Sequence, residues 1–276
     1  MPSQRIIEAF VGEHGAGKSE VALSRALWLA RNGTEVALAD MDTVEPCYTL
    51  NSPLTKALTR IPNLKLLTNV SERIFPGETG NVISPSVRWA IVRNQNAILD
   101  IGYGVDGYKV LRLLEGYSRL KDEVKLYFVQ NFSRPATGEV DSAMRYLNTY
   151  KKLDGIINNT HLGDESSVEL AREGEDKALK LAEKVNLPII ATVVWRAIAV
   201  NYLAKLGVAE AGKAVTHSVE PVASPDEVQI DIASAVAEIE MDQGKIHPAL
   251  REKFRTPIWI IARLMPLAFW LRKNLG

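Results

Sequence analysis

The chain has 276 residues, 46% of them apolar and 24% charged, and its 33 basic and 33 acidic side chains leave no net charge. That length can bury a substantial core, and no overall field draws the chain to nucleic acid. The single cysteine, Cys47, excludes an intrachain disulfide framework and a cysteine-ligated metal cluster.

The N-terminal stretch MPSQRIIEAFVGEHG lacks a long apolar signal region with a small-residue cleavage site, so a cytoplasmic location is expected. Within it, RIIEAFV reads as a buried parallel strand. SEVALSRALWLARNG spaces Val21, Leu23, Ala26, Leu27 and Ala30 as a helix does and stops at Gly33, a natural C-terminal cap. TEVALADMD is the next strand. Residues 55–89 read as largely irregular, with RIFPGETGNVISPSVRW a long loop that serves as a lid or as a surface excursion. NQNAILDIGYG is a strand and GYKVLRLLEGYSRL a helix. EVKLYFVQNF and KLDGIINNTHLG are strands separated by helical GEVDSAMRYLNTYKK. SSVELAREGEDKALKLAEKVN is an amphipathic helix, and LPIIATVVW a further strand. The alternation predicts an α/β, three-layer fold, a mostly parallel sheet covered by helices on both faces. Residues 1–244 form the expected domain, and residues 245–276 a basic, apolar tail.

The chemistry lies in GEHGAGKS, residues 12–19, which matches G-x-x-x-x-G-K-[ST] through Gly12, Gly17, Lys18 and Ser19. Glycines let successive N–H groups point at phosphate oxygens, and the following helix adds the positive end of its dipole. Lys18 would reach the β- and γ-phosphates and the Ser19 hydroxyl would ligate magnesium. The nucleotide-binding set is therefore Gly12, Glu13, His14, Gly15, Ala16, Gly17, Lys18, Ser19 and Glu20. Asp40 and Asp42 end the strand in ALADMD, at the carboxyl edge where ligands bind in such sheets. There a carboxylate can hold the water shell of magnesium, orient an attacking water, or simply cap a turn. AILDIGYG ends a strand at Asp100, a further magnesium candidate, followed by Gly102 and Gly104 as a flexible switch.

Taken in order, GEHGAGKS, ALADMDTVEP, AILDIGYG, GIINNTHLG and LPIIATVVW resemble the MinD/ParA/CobQ-type (SIMIBI class) P-loop ATPases over roughly residues 5 to 200. DMDTVEPCY, VQNFSRP and GIINNTHLG are similar to a bacterial nucleotide-binding branch of that class. The resemblance implies that Lys18 and Ser19 hold phosphate and magnesium, that Asp42 positions the hydrolytic water, and that Asp40 and Asp100 support magnesium. It also implies that Asn159, with Asn158 second to it, contacts the base. NNTH lacks the Asn-Lys-x-Asp pattern of a guanine-selective site, so ATP is the expected nucleotide, with Mg2+. The signature loop lysine of MinD and ParA is replaced here by Glu13, which repels phosphate at close range. A dimer-dependent switch would then need another cation, for which Arg73, Arg88 and Arg134 are candidates.

Implied functions are a slow ATPase acting as a nucleotide-state switch for a homodimer, a protein partner or a membrane; an ATP-dependent kinase or ligase of the CobQ or dethiobiotin synthetase type; and a nucleotide-gated adaptor with little turnover. Metal insertion is disfavoured because Cys47 stands alone and His14, His161, His217 and His247 form no ligand-spaced cluster.

In the tail, seven Lys/Arg face a single acidic residue, Glu252, around the apolar run PIWIIARLMPLAFWL. Arg263 and Pro266 interrupt that run, and it is shorter than the ~20 residues of a spanning helix. Two readings stand open. Residues 256–276 pack within protein, or Trp259, Ile260, Leu264, Phe269 and Trp270 meet an anionic membrane surface.

Overall fold

The computed structural model describes residues 5–43, 47–48, 53–68, 83–102, 104–205, 240–241 and 255–261. The chain divides into two units, residues 1–127 with 264–276, and residues 128–263.

In chain order the first unit contains β1 (Ile7–Val11), α1 (Lys18–Arg31), β2 (Val36–Asp40), α2 (Pro53–Leu58), β3 (Leu64–Leu67), α3 (Pro85–Arg88), α4 (Ala90–Arg93), β4 (Ala97–Asp100), α5 (Gly104–Lys109) and α6 (Tyr117–Leu120). Its strands run in the order β3-β2-β4-β1, all parallel. Parallel strands are covered on both faces and must be apolar throughout. IEAFV, VALAD and AILD meet that condition apart from Glu8 and the strand-ending Asp40 and Asp100, and every residue of β1, β2 and β4 is buried. The exception in β1 is Glu8, held by two 2.8 Å hydrogen bonds from the Arg25 guanidinium on α1. Arg25 also lies 5.4 Å from the Trp28 ring centroid. This buried pair fixes α1 against β1 and so orients the helix start. The far end of α1 closes as expected: Gly33 takes φ 82° and its N–H donates to the Ala30 carbonyl at 3.0 Å.

Strand β5 (Val124–Gln130) begins in the first unit and ends in the second. The second unit continues with α7 (Val140–Leu147), β6 (Gly155–Asn158), α8 (Val168–Val185), β7 (Ile189–Trp195), α9 (Arg196–Lys205), β8 (Glu240–Met241) and β9 (Ile258–Ile261). Strands β6, β7 and β9 are parallel neighbours in that order, with β8 antiparallel on β9. Val168, Ala171, Val194, Ala199, Tyr202 and Ile258 make one core cluster. A buried polar network runs through this unit. Glu175, 2% exposed, accepts from Tyr202 Oη at 3.1 Å and from Thr256 Oγ1 at 2.9 Å, and the Thr256 and Thr192 hydroxyls lie 2.8 Å apart.

Both units are α/β with parallel strands, the fold class expected. Two local expectations change. The single helix read over GYKVLRLLEGYSRL is broken into α5, a 3-10 turn at Val110–Leu113, and α6, because Gly116 adopts φ 75° ahead of α6. Residues 55–89, read as irregular, contain β3 and α3. Strand β3 is short, and Lys65 is exposed within it, which masks its pattern. Residues 69–82, most of the expected lid loop, lie outside the described residues.

In the tail, Ile258–Ile261 form β9, paired to β7 by Val193↔Trp259 and Val194↔Ile260. A continuous apolar run fits a buried strand as well as a helix, and the β-branched IWII favours the strand. Trp259 is 4% exposed and Ile260 packs partly buried against the core cluster. At these two positions the run is therefore spent inside the second unit rather than offered to a membrane. Leu264, Phe269 and Trp270 lie outside the described residues. Among the described residues, no helix is long and apolar enough to cross a membrane.

Candidate functional site

Residues 12–17 connect β1 to α1. Gly15 (φ 70°) and Gly17 (φ 86°) use the left-handed region that glycine enters without a Cβ clash. The Ala16 N–H donates to the Glu13 carbonyl at 3.2 Å, and Lys18 Nζ donates to the same carbonyl at 3.0 Å. The lysine side chain thus lies back across its own loop. Ala16 is buried, Glu13 half-buried, and His14 and Gly15 are exposed. Lys18 is 7% exposed, and burial holds its pKa below the usual lysine value against the opposing attraction of Asp100, Asp42, Cys47 and Glu13. Lys18 and Ser19 open α1, with Glu20 in its first turn.

Parallel register sets the carboxylates. Asp40 on β2 stands opposite Asp100 on β4, and Asp100 stands opposite Phe10 on β1. Both aspartates therefore end their strands beside the loop that follows β1, the edge where α/β sheets bind ligands. Asp40 is fully buried, and its two oxygens accept from the backbone N–H groups of Asp42 (3.1 Å) and Tyr48 (3.2 Å). Burial, with Asp100 adding to it, raises its pKa well above the ordinary carboxylate value. Asp40 thereby holds the turn that presents Asp42.

Asp100 is 1% exposed, and burial raises its pKa to about 7 against a hydrogen bond from Ser19 and the charge of Lys18. Among the described residues, its Oδ2 has no hydrogen-bond partner. An ionisable oxygen so placed is a rarity that calls for a ligand. Here it sits with the Ser19 hydroxyl and the Asp42 and Lys18 charges. A small hard cation fits this set: magnesium usually takes one or two protein oxygens and shares the rest with phosphate and water. Among the described residues, no group of three His, Cys, Asp or Glu side chains could hold a metal ion.

The glycines after β4 are packed into the same place. A Cβ on Gly102 would stand 3.1 Å from the Asp42 carboxylate carbon, and one on Gly107 would stand 2.4 Å from the Gly102 carbonyl oxygen. The Gly104 N–H donates to the Gly12 carbonyl at 3.3 Å, which ties the segment after β4 to the first residue of the loop. Lys18, Ser19, Asp40, Asp42, Asp100, Gly102 and Gly104 are thus one constellation in the first unit.

The asparagine pair belongs to the second unit. The Asn158 amide is engaged at both ends, accepting from Thr160 Oγ1 at 2.7 Å and donating to Thr192 Oγ1 at 3.5 Å. The Asn159 N–H donates to the Gln130 carbonyl at 2.7 Å, just past the end of β6. Arg88 forms an exposed pair with Glu115 at 3.2 Å in the first unit, Arg134 lies in the second, and Arg73 falls outside the described residues.

Two residues of the site escaped attention as functional groups. Cys47 Sγ donates to Ser19 Oγ at 3.3 Å, and Tyr48, fully buried, reaches the Ser19 carbonyl with its hydroxyl at 3.4 Å. An aromatic side chain shortly after a strand-ending aspartate pair was the available signal.

No protein-family model matches the chain, and no curated protein matches it. Among solved structures it is similar to the cell division protein FtsY of Thermotoga maritima, at 18% identity over 69% of this chain and 62% of that one, with a TM-score of 0.47. It is similar to the signal recognition particle 54 kDa protein of Aeropyrum pernix in complex with GDP, at 22% identity over 68% and 41%, TM-score 0.41. A nucleotide-binding protein of Archaeoglobus fulgidus in complex with ADP is similar at 18% identity over 67% and 80%, TM-score 0.42. The chain spans less than two thirds of the length of the first two. By its own geometry, a glycine loop between a buried parallel strand and a helix opening on Lys18 and Ser19, the chain has the α/β P-loop fold of nucleotide-binding proteins.

Proposed function

We propose that this chain binds ATP with magnesium, hydrolyses it slowly, and uses its nucleotide state as a switch toward a protein partner, a second copy of itself or a membrane surface. The observation that supports this best is the convergence of Lys18, Ser19, Asp42 and Asp100 around an unpartnered carboxylate oxygen, beside a glycine loop tied to Gly104.

The reaction is attack of water on the γ-phosphate, giving ADP and inorganic phosphate. Ser19 Oγ and Asp100 would hold magnesium, whose chemistry is to neutralise charge on the phosphate oxygens. Lys18 would swing from the Glu13 carbonyl to the β- and γ-phosphates and stabilise the charge that develops there. Asp42, held by Asp40 and close against Gly102, would orient the attacking water. A γ-phosphate arriving between them pushes on the Gly102–Gly104 segment, which is the proposed route from nucleotide state to surface. Glu13 in place of a loop lysine supports slow turnover, because it brings no positive charge to a partner's phosphates.

The test is magnesium-dependent ATP binding and phosphate release by the purified protein. Asp42→Ala is expected to retain binding and lose turnover at least about tenfold, as removal of a positioned catalytic group does. Turnover unchanged in Asp42→Ala would remove Asp42 from this role.

A further inference from the structure

A hydroxyl has one proton to donate and two lone pairs to offer. Cys47 Sγ–H donates to Ser19 Oγ at 3.3 Å and occupies one of its lone pairs, which restricts how the hydroxyl can turn to present the other. Among the described residues, Asp100 Oδ2 has no hydrogen-bond partner. The Tyr48 ring is 0% exposed, its N–H holds Asp40 Oδ2 at 3.2 Å, and its hydroxyl lies 3.4 Å from the Ser19 carbonyl. Cys47 and Tyr48 therefore tie the start of α1 to the end of β2, two of the elements that carry the site.

We propose that Cys47 and Tyr48 are positioning residues for the divalent cation, fixing the orientation of Ser19 before the metal arrives. This rests on the nucleotide reading above. Partners that orient metal ligands from outside the coordination sphere commonly govern about 10–100-fold in metal affinity. Neither side chain need touch the nucleotide, so the effect belongs to the cation and not to the phosphate grip of the loop.

The experiment measures binding of a fluorescent ATP analogue by the full chain, first in excess chelator and then across a magnesium titration. The unsubstituted protein is compared with Cys47→Ala, Cys47→Ser and Tyr48→Phe, each checked for its melting temperature without ligand. Affinity in chelator is expected to stay within about twofold for all. The magnesium concentration for half-maximal tightening is expected to rise about tenfold or more in Cys47→Ala and Tyr48→Phe. It is expected to return toward the original in Cys47→Ser, whose hydroxyl restores the donor. The same magnesium requirement in all four proteins would overturn the positioning role while leaving the nucleotide reading intact. A parallel loss of affinity in chelator would overturn it too, by showing a general structural effect. Absence of binding by the unsubstituted protein would overturn both.

Discussion

Asp40 and Asp100 stand side by side at the ends of adjacent parallel strands, and burial raises the pKa of each. Folded Asp100 titrates near pH 7, whereas its ordinary value is 3.8. Between those values the folded chain holds a proton that the unfolded chain has released. Stability from this group is therefore fully present below the ordinary value and is lost as pH rises through about 7. Asp40 acts in the same direction. Asp100→Asn is predicted to raise the melting temperature of the ligand-free protein, more at pH 8 than at pH 5, while weakening magnesium-dependent binding. Thermal unfolding at the two pH values checks it, and an equal or reversed effect would contradict the assigned burial. Lys18 makes the complementary case. Its ammonium is already desolvated, and Lys18→Ala is predicted to cost nucleotide affinity about 10–100-fold, the loss expected for a charge-assisted hydrogen bond. The residues proposed for this chemistry were legible in the sequence because glycine spacing and strand-ending aspartates have few other uses. Cys47 and Tyr48 were not legible as candidates, because their proposed role depends on separate elements meeting.

At the scale of elements, the site depends on how α1 and the segment after β4 are held. The Glu8–Arg25 pair is buried, with side chains 10% and 7% exposed, and its two bonds are both 2.8 Å. Removing one partner leaves an uncompensated buried charge, so Arg25→Ala is predicted to destabilise the fold by about 3–5 kcal/mol. Denaturant unfolding measures this. Glu8→Gln with Arg25→Gln is predicted to recover part of the loss. Gly102→Ala tests the other support. Its new methyl would meet the Asp42 carboxylate at 3.1 Å, close enough to displace it by a few tenths of an ångström. Folding is predicted to survive, and turnover to fall more than nucleotide affinity does. Strands β1, β2, β4 and helix α1 could be read directly from continuous apolar runs and a helical apolar spacing. The helix over GYKVLRLLEGYSRL could not, because Gly116 enters a left-handed turn ahead of α6.

For the molecule as a whole, the chain forms two units, and the strand that completes the second comes from far along the sequence. Thr256 and β9 close a network that begins at Glu175 on α8, and Trp259 is buried in the sheet beside β7. Trp259→Ala is predicted to destabilise the second unit by about 3–5 kcal/mol, as large-to-small changes of a buried aromatic do. Limited proteolysis and thermal unfolding check this, and an unchanged melting temperature would contradict the placement of β9. This part of the fold was hidden in the sequence. The basic flanks and apolar run of the tail suit a membrane-facing segment as well as a buried strand, and only pairing with β7 places Ile258–Ile261 in the sheet.

The account rests above all on GEHGAGKS as a nucleotide-binding loop. The most direct measurement is calorimetric titration of ATP into the purified chain with magnesium, set against Lys18→Ala under the same conditions. Saturable binding at one site per chain, weakened about 10–100-fold by Lys18→Ala, is the predicted result. Equal binding by the two proteins, or no binding by either, would contradict it.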